Sequence, residues 1–217
     1  MATKKVKTEN LEGPTTLHIG KTTVVIKDGT ISWTGSMAIN ADGSPWAYHP
    51  ENKGLDYLAN AGSPEKWWGI ACDPAGVPYV QGPADPAPGY YVSTTALFDK
   101  KRKPADPLRY VNSSAVPYIV VPPELRKAGV KLGDLAIVKF NSNVCHALVA
   151  DVGPRGKAGE GSIALAERLG IKSSPKKGGT SKGVNYTIFM GTSTGWPRDV
   201  EEIANAVVEL AAKKLVG

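Results

Sequence analysis

Two carboxylates nine residues apart, Asp151 and Glu160, sit in surroundings suited to acid/base chemistry. Asp151 ends the apolar run CHALVAD (145–151) and opens onto Gly153, Pro154 and Gly156, a common way for a sheet to present a carboxylate at its rim. Glu160 stands between Gly159 and Gly161, directly before the helix-forming segment SIALAERLG, whose first residue, Ser162, is a good N-cap. A single turn-rich loop joins the two carboxylates and can fold back to bring them together. Glycoside hydrolysis needs that arrangement: one protonated acid for the leaving oxygen and one ionised base for a water. The same residue types also serve structure, as a Glu beside a helix N-terminus and a loop Asp that accepts backbone N–H groups.

Further candidates lie upstream. Asp42 precedes Gly43 in a turn, and as a third carboxylate it can take part in binding or catalysis. Trp46, Tyr48, Trp67 and Trp68 can stack on sugar rings or fill the core, and His49 and Lys157 stand close enough to the motifs to contact substrate. Cys72 and Cys145 lack CxxC spacing and Cys/His clustering, so no metal site is expected, and they are either free thiols or one disulfide. Cys145 is next to His146, but adjacent strand residues point to opposite faces, which rules out this His as that thiol's base.

The elements that must position these groups are mostly strands. Residues 15–34 read as a hairpin around Asp28-Gly29, and residues 40–99 as short strands in long loops rich in Pro, Gly and Asp. Lys100, Lys101, Arg102 and Lys103 make a solvated loop. PYIVVP (117–122) reads as a strand and PELRKAG (123–129) as a short helix. Residues 135–150 form a second hairpin about Asn141-Ser142-Asn143. A basic glycine loop, Lys176 to Gly179 with Lys182, precedes the strand VNYTIFM. The last segment places Val200, Ile203, Val207, Leu210 and Ala211 on one helical face, with acids early and lysines late as the helix dipole favours. The expected organisation is a flexible segment over 1–14 and one catalytic domain over 15–217.

The composition agrees. The 217 residues are long enough for a core without metal or disulfide staples, and 41% apolar with 21% charged residues is the globular norm. No apolar run reaches the ~20 residues that span a bilayer. Gly and Pro make up roughly a fifth of the chain, well above the usual ~12%, which favours turn-rich β structure. The net charge of +6 and the isoelectric point near 9.2 suit an anionic partner, but no helix-turn-helix, RNA-binding aromatic motif or zinc finger is present. The charge is also uneven. Residues 40–99 carry seven acids against two lysines, while residues 155–183 carry seven bases against two acids.

The strings DVGP (151–154) and GEGSIALAERLGI (159–171), with the Gly133-Asp134 hairpin before them and VNYTIF after, resemble the chitosanases of glycoside hydrolase family 75. SMAINADGSPWAYHP (36–50) is similar to that family's N-terminal segment, and the likeness runs over about residues 35–191. The family's essential Asp and Glu fall on Asp151 and Glu160. The resemblance implies endo-acting, inverting hydrolysis of β-1,4 links in chitosan without a cofactor, by a monomer whose partner is the polysaccharide rather than nucleic acid or membrane. Inversion implies carboxyls ~6.5–9.5 Å apart. It also implies Glu160 as acid and Asp151 as base. A strand ending in D-x-G-P is similar, too, to the double-psi β-barrels of expansins, lytic transglycosylases and some cellulases, in which the Asp is the proton donor and Asp42 would be the base. The expected fold is mainly β with a few helices, a six-stranded double-psi-like barrel with a decorating hairpin and a C-terminal helix.

The sequence departs from the family pattern at Ala38 and Asn40, where alternating acids are expected before Asp-Gly. Fewer carboxylates would weaken the hold on glucosamine ammonium groups and favour a less cationic substrate. A lytic enzyme of cell-wall peptidoglycan, or a non-catalytic expansin-like barrel, are the competing readings. The lysines of MATKKVKTEN are followed by no apolar core of a secretory signal, although a polymer substrate outside cells implies secretion.

Overall fold

In the computed structural model, which describes residues 13–216, the alternating pattern of the N-terminal region becomes a three-stranded meander. It comprises β1 (Thr15–Ile19), β2 (Thr22–Lys27) and β3 (Thr30–Asn40). Asp28-Gly29 turns β2 into β3 as expected, and Gly20-Lys21 supplies a second turn that makes the hairpin a meander. Most of the segment expected to be flexible, residues 1–12, lies outside the described residues.

Residues 41–117 are largely loops. They hold the two-residue strands β4 (Gly62–Ser63) and β5 (Lys66–Trp67) and isolated bridges such as Val80 with Tyr91. Regular structure resumes with β6 (Tyr118–Val121), α1 (Pro123–Lys127), β7 (Leu135–Phe140) and β8 (Asn143–Val152). It continues with β9 (Glu160–Ser162), α2 (Ile163–Leu169), β10 (Thr180–Phe189) and α3 (Val200–Val216). Ser162 caps α2 through Leu165 N–H, and Gly170 ends it in a left-handed conformation.

The strands run β3-β10-β7-β8-β6-β9, and β9 pairs back onto β3, so the six close into a barrel with β1 and β2 extending from one edge. Closure leaves none of the six as a free edge. This topology is compatible with the double-psi arrangement. Val24, Ile31, Ile119, Val138, Ala147, Val149 and Tyr186 fill the barrel interior with the apolar face of α2. Ile203 and Val207 of α3 cover a second, outer cluster of Leu135, Leu148, Ala150 and Phe189. The apolar face expected of the last helix is therefore the one that packs. Among the described residues no helix is long and apolar enough to cross a membrane.

Candidate active site

A β-bulge positions the first carboxylate. β6 and β8 run parallel with Ile119 opposite Val149, but the next pair is Val120 with Asp151, leaving Ala150 as the extra residue. Simple alternation would keep Asp151 on the inner face with Val149; the bulge instead turns it onto the outer face beside Val120. On the other side of β6, Val120 pairs with Glu160 of β9. Asp151 and Glu160 thus stand in one row, separated by the single strand β6. At ~4.8 Å per strand their backbones are ~9.6 Å apart. The loop between them folds back as expected: a Cβ placed on Gly153 would lie 3.4 Å from Glu160 Oε2.

β3 supplies the third carboxylate. Asp42 stands two residues beyond its last residue, Asn40, and Gly43 takes a positive φ where a Cβ would strike the Val111 carbonyl oxygen, so the Asp-Gly turn tolerates no larger residue. The carboxyls of Asp42 and Asp151 lie within hydrogen-bonding reach of each other. Tyr48 O–H donates to Asp42 Oδ1 at 2.7 Å. The N–H groups of Ala96 and Val152 both donate to Asp151 Oδ1 at 2.9 Å, fixing its orientation.

Asn40 links the cluster. Its Oδ1 accepts from Tyr118 O–H at 2.6 Å and Asp42 N–H at 2.8 Å, which orients the amide so that Nδ2 donates to Glu160 Oε1 at 2.7 Å. Tyr118 O–H also reaches the Asp42 carbonyl, at 2.9 Å.

These environments set the proton positions. Burial holds Asp42 well above the usual carboxylate range, and the charge of Asp151 adds to this; the bonds from Tyr48 and Asn40 oppose it only in part. Asp151, 9% exposed, is pushed up to about 7, chiefly by burial and against its two backbone N–H bonds. Two such carboxyls in contact retain a shared proton into the neutral range. Glu160 is raised by burial as well, but the Asn40 bond and the nearby Lys157 charge hold it down. The cluster therefore contains a proton-holding pair and one carboxylate with donors directed at it.

The other residues singled out from sequence are dispersed around this cluster. Tyr48 is 2% exposed, so it offers no ring face to a sugar and acts through its hydroxyl. Trp67 is half-buried against the core and tilted on Tyr91, whereas Trp46 and Trp68 are exposed, Trp68 by 63% with its indole N–H on the Asn60 carbonyl. His49 stands edge-on to Tyr90, and its Nδ1 accepts from Glu51 N–H. Cys72 and Cys145 are free, and burial raises the Cys145 thiol, keeping it unreactive. His146 is half-buried. Sequence reasoning treated Asn40 only as a departure and did not single out Tyr118. Asn40 was accessible, since it shares a strand face with Ala38 and lies two residues before Asp42; Tyr118, inside an apolar strand, gave no signal.

Residues 85–213 match the family described as fungal chitosanase of glycosyl hydrolase group 75. The chain belongs to that family. It is a glycosidase, and the match takes in more than half its length, including both Asp151 and Glu160. Asn40 and Asp42 fall outside the matched range, which starts later than the likeness read from sequence and extends into α3. Among curated proteins none matches the chain.

Proposed function

We propose that this chitosanase acts as a single catalytic domain over residues 15–217 and cleaves β-1,4 links with inversion, using Asp151 and Glu160. The observation that carries this reading is their placement on either side of β6. Backbones two strand spacings apart leave room for carboxyls at the ~6.5–9.5 Å that an inverting pair needs for its water. Asp151 is the general acid. Its burial keeps it protonated up to about pH 7, against the hydrogen bonds from Ala96, Val152 and Asp42, and that is the state required to protonate a leaving oxygen. Glu160 is the general base: burial raises it, while the Asn40 bond and the Lys157 charge favour the ionised form that can activate water. This reverses the roles that the family resemblance implies, and it follows the double-psi comparison for Asp151 but not for Asp42. Asp42 holds its proton too firmly to be the base, with burial and the Asp151 charge both raising it.

The test is the anomeric form of the first product, followed by proton NMR during cleavage of chitosan. Inversion yields the α-anomer from a β-link. An initial β-anomer contradicts the water-between-carboxylates geometry, and 1,6-anhydro ends from peptidoglycan would mark a lytic transglycosylase.

A further inference from the structure

We propose that Glu124 is a positioning residue: it holds the tip of the loop between Asp151 and Glu160, and so keeps Lys157 beside Glu160. This rests on the two-carboxylate reading and adds the part that fixes one charge of that site in place. Each end of the loop is tied by a backbone bond. Gly153 N–H donates to the Val121 carbonyl at 3.1 Å, and the Gly159 carbonyl accepts from Ala38 N–H at 3.0 Å. Between these ties, among the described residues, the stretch from Pro154 to Ala158 makes one hydrogen bond: Gly156 N–H donates to Glu124 Oε1 at 3.2 Å. Arg155, Gly156 and Lys157 are otherwise exposed.

Both sides of the contact are built for it. Glu124 comes just after β6, the strand that separates the two carboxylates, with Pro122 and Pro123 between. The two prolines fix the entry into α1, so Glu124 in its first turn stands on a stiff stem. Its Oε2 is buried and has no hydrogen-bond partner among the described residues, which leaves Gly156 N–H as the donor to this carboxylate. On the other side the β1–β2 turn presses against the same residue: a Cβ on Gly20 would lie 2.5 Å from the Gly156 carbonyl oxygen. The tip is thus clamped between α1 and that turn, and Lys157 is the next residue along.

The clamp sets a charge. The ionisable groups that interact with Glu160 are five acids, Asp42, Asp56, Tyr118, Asp151 and Tyr186, and one cation, Lys157. Lys157 is therefore the one full positive charge among them that favours the ionised base. A loop tip free to move spreads that charge over more distant, solvated positions, where the dielectric and salt weaken it. The Asn40 bond to Glu160 Oε1 does not pass through the loop, so it survives and the loss is partial.

The experiment records the pH dependence of kcat/KM on chitosan for the full chain as wild type, Glu124→Ala, Glu124→Gln, Lys157→Ala and the double variant Glu124→Ala/Lys157→Ala. Melting temperatures serve as the folding check. Glu124→Ala moves the acid limb up by about half a unit, about a threefold loss at pH 5. The double variant moves it no further than Lys157→Ala alone, because both changes act through one charge. Glu124→Gln keeps an acceptor for Gly156 N–H and returns the limb to its wild-type position, which separates the hydrogen bond from the charge of Glu124 itself. Should Glu124→Ala not fold, Glu124→Asp replaces it: the side chain is one carbon too short to reach Gly156, and the same shift is expected. A folded variant with an unmoved limb, or shifts that add in the double variant, overturn the assignment and leave the two-carboxylate reading intact. Near wild-type cleavage by folded Glu160→Gln overturns that reading and this inference with it.

Discussion

Replacing Asn40 by Asp discriminates between the two possible roles of Glu160. The substitution is isosteric and keeps the acceptors used by Tyr118 O–H and Asp42 N–H, so the fold is retained. It removes the donor that reaches Glu160 Oε1 and sets a second carboxylate oxygen 2.7 Å from it. At an effective dielectric of about 20, two unit charges at that distance repel by about 6 kcal/mol, more than four pKa units. The pair cannot remain doubly ionised and takes up a proton. With Glu160 as general base, the acid limb of the pH–kcat/KM profile moves up by two units or more, into the limb set by Asp151 near pH 7. Activity at pH 5 then falls by about a hundredfold. The assay is reducing-end release from chitosan between pH 3 and 9. An unmoved acid limb, or an alkaline limb extended upward with activity at pH 5 intact, would refute this; the latter result makes Glu160 the acid.

Other expectations follow from the same geometry. The wild-type profile is bell-shaped, and its activity is lost as pH rises through about 7, because the protonated form of Asp151 exists only below its raised pKa. Burying Asp151 also costs stability. Its folded pKa of about 7 lies above the ordinary Asp value of about 3.9, so wild-type stability falls as pH rises from about 4 to 7, by on the order of 4 kcal/mol. Asp151→Asn should therefore melt higher than wild type at pH 7.5 and nearly equal to it at pH 3.5, by scanning calorimetry; equal melting at both would contradict the burial argument. Gly159→Ala places a Cβ 2.4 Å from the Ser36 carbonyl oxygen at a positive φ, and should cost about 1–3 kcal/mol in urea unfolding while displacing Glu160. Trp68→Ala should raise KM about three- to tenfold with kcat unchanged, whereas Tyr48→Phe should lower kcat and leave KM alone, as expected of an exposed ring and a buried hydroxyl.

Much of this was legible in the sequence, because period-two alternation and turn chemistry are local. The Asp28-Gly29 turn, the hairpin of β7 and β8, the Ser162 cap and the apolar face of α3 could all be read from neighbouring residues. The barrel closure between β3 and β9 could not, since it joins Ala38 to Glu160 across more than a hundred residues. Nor could the bulge at Ala150. Alternation assigns Asp151 to the interior, and only the pairing with Val120 reveals that it faces Glu160's row. Asn40 shows the same limit in another form. As a missing acid it suggested weaker substrate binding, but its partners make it the residue that aims Glu160.

The central claim is that Asp151 and Glu160 carry the reaction from opposite sides of β6. Its most direct test is the rate of chitosan cleavage by Asp151→Asn and Glu160→Gln, each isosteric and each lacking one ionisable group. Both variants should fold and lose activity by about 10²–10⁴-fold, the ordinary range for a general acid or base. Near wild-type activity in either folded variant would contradict the assignment.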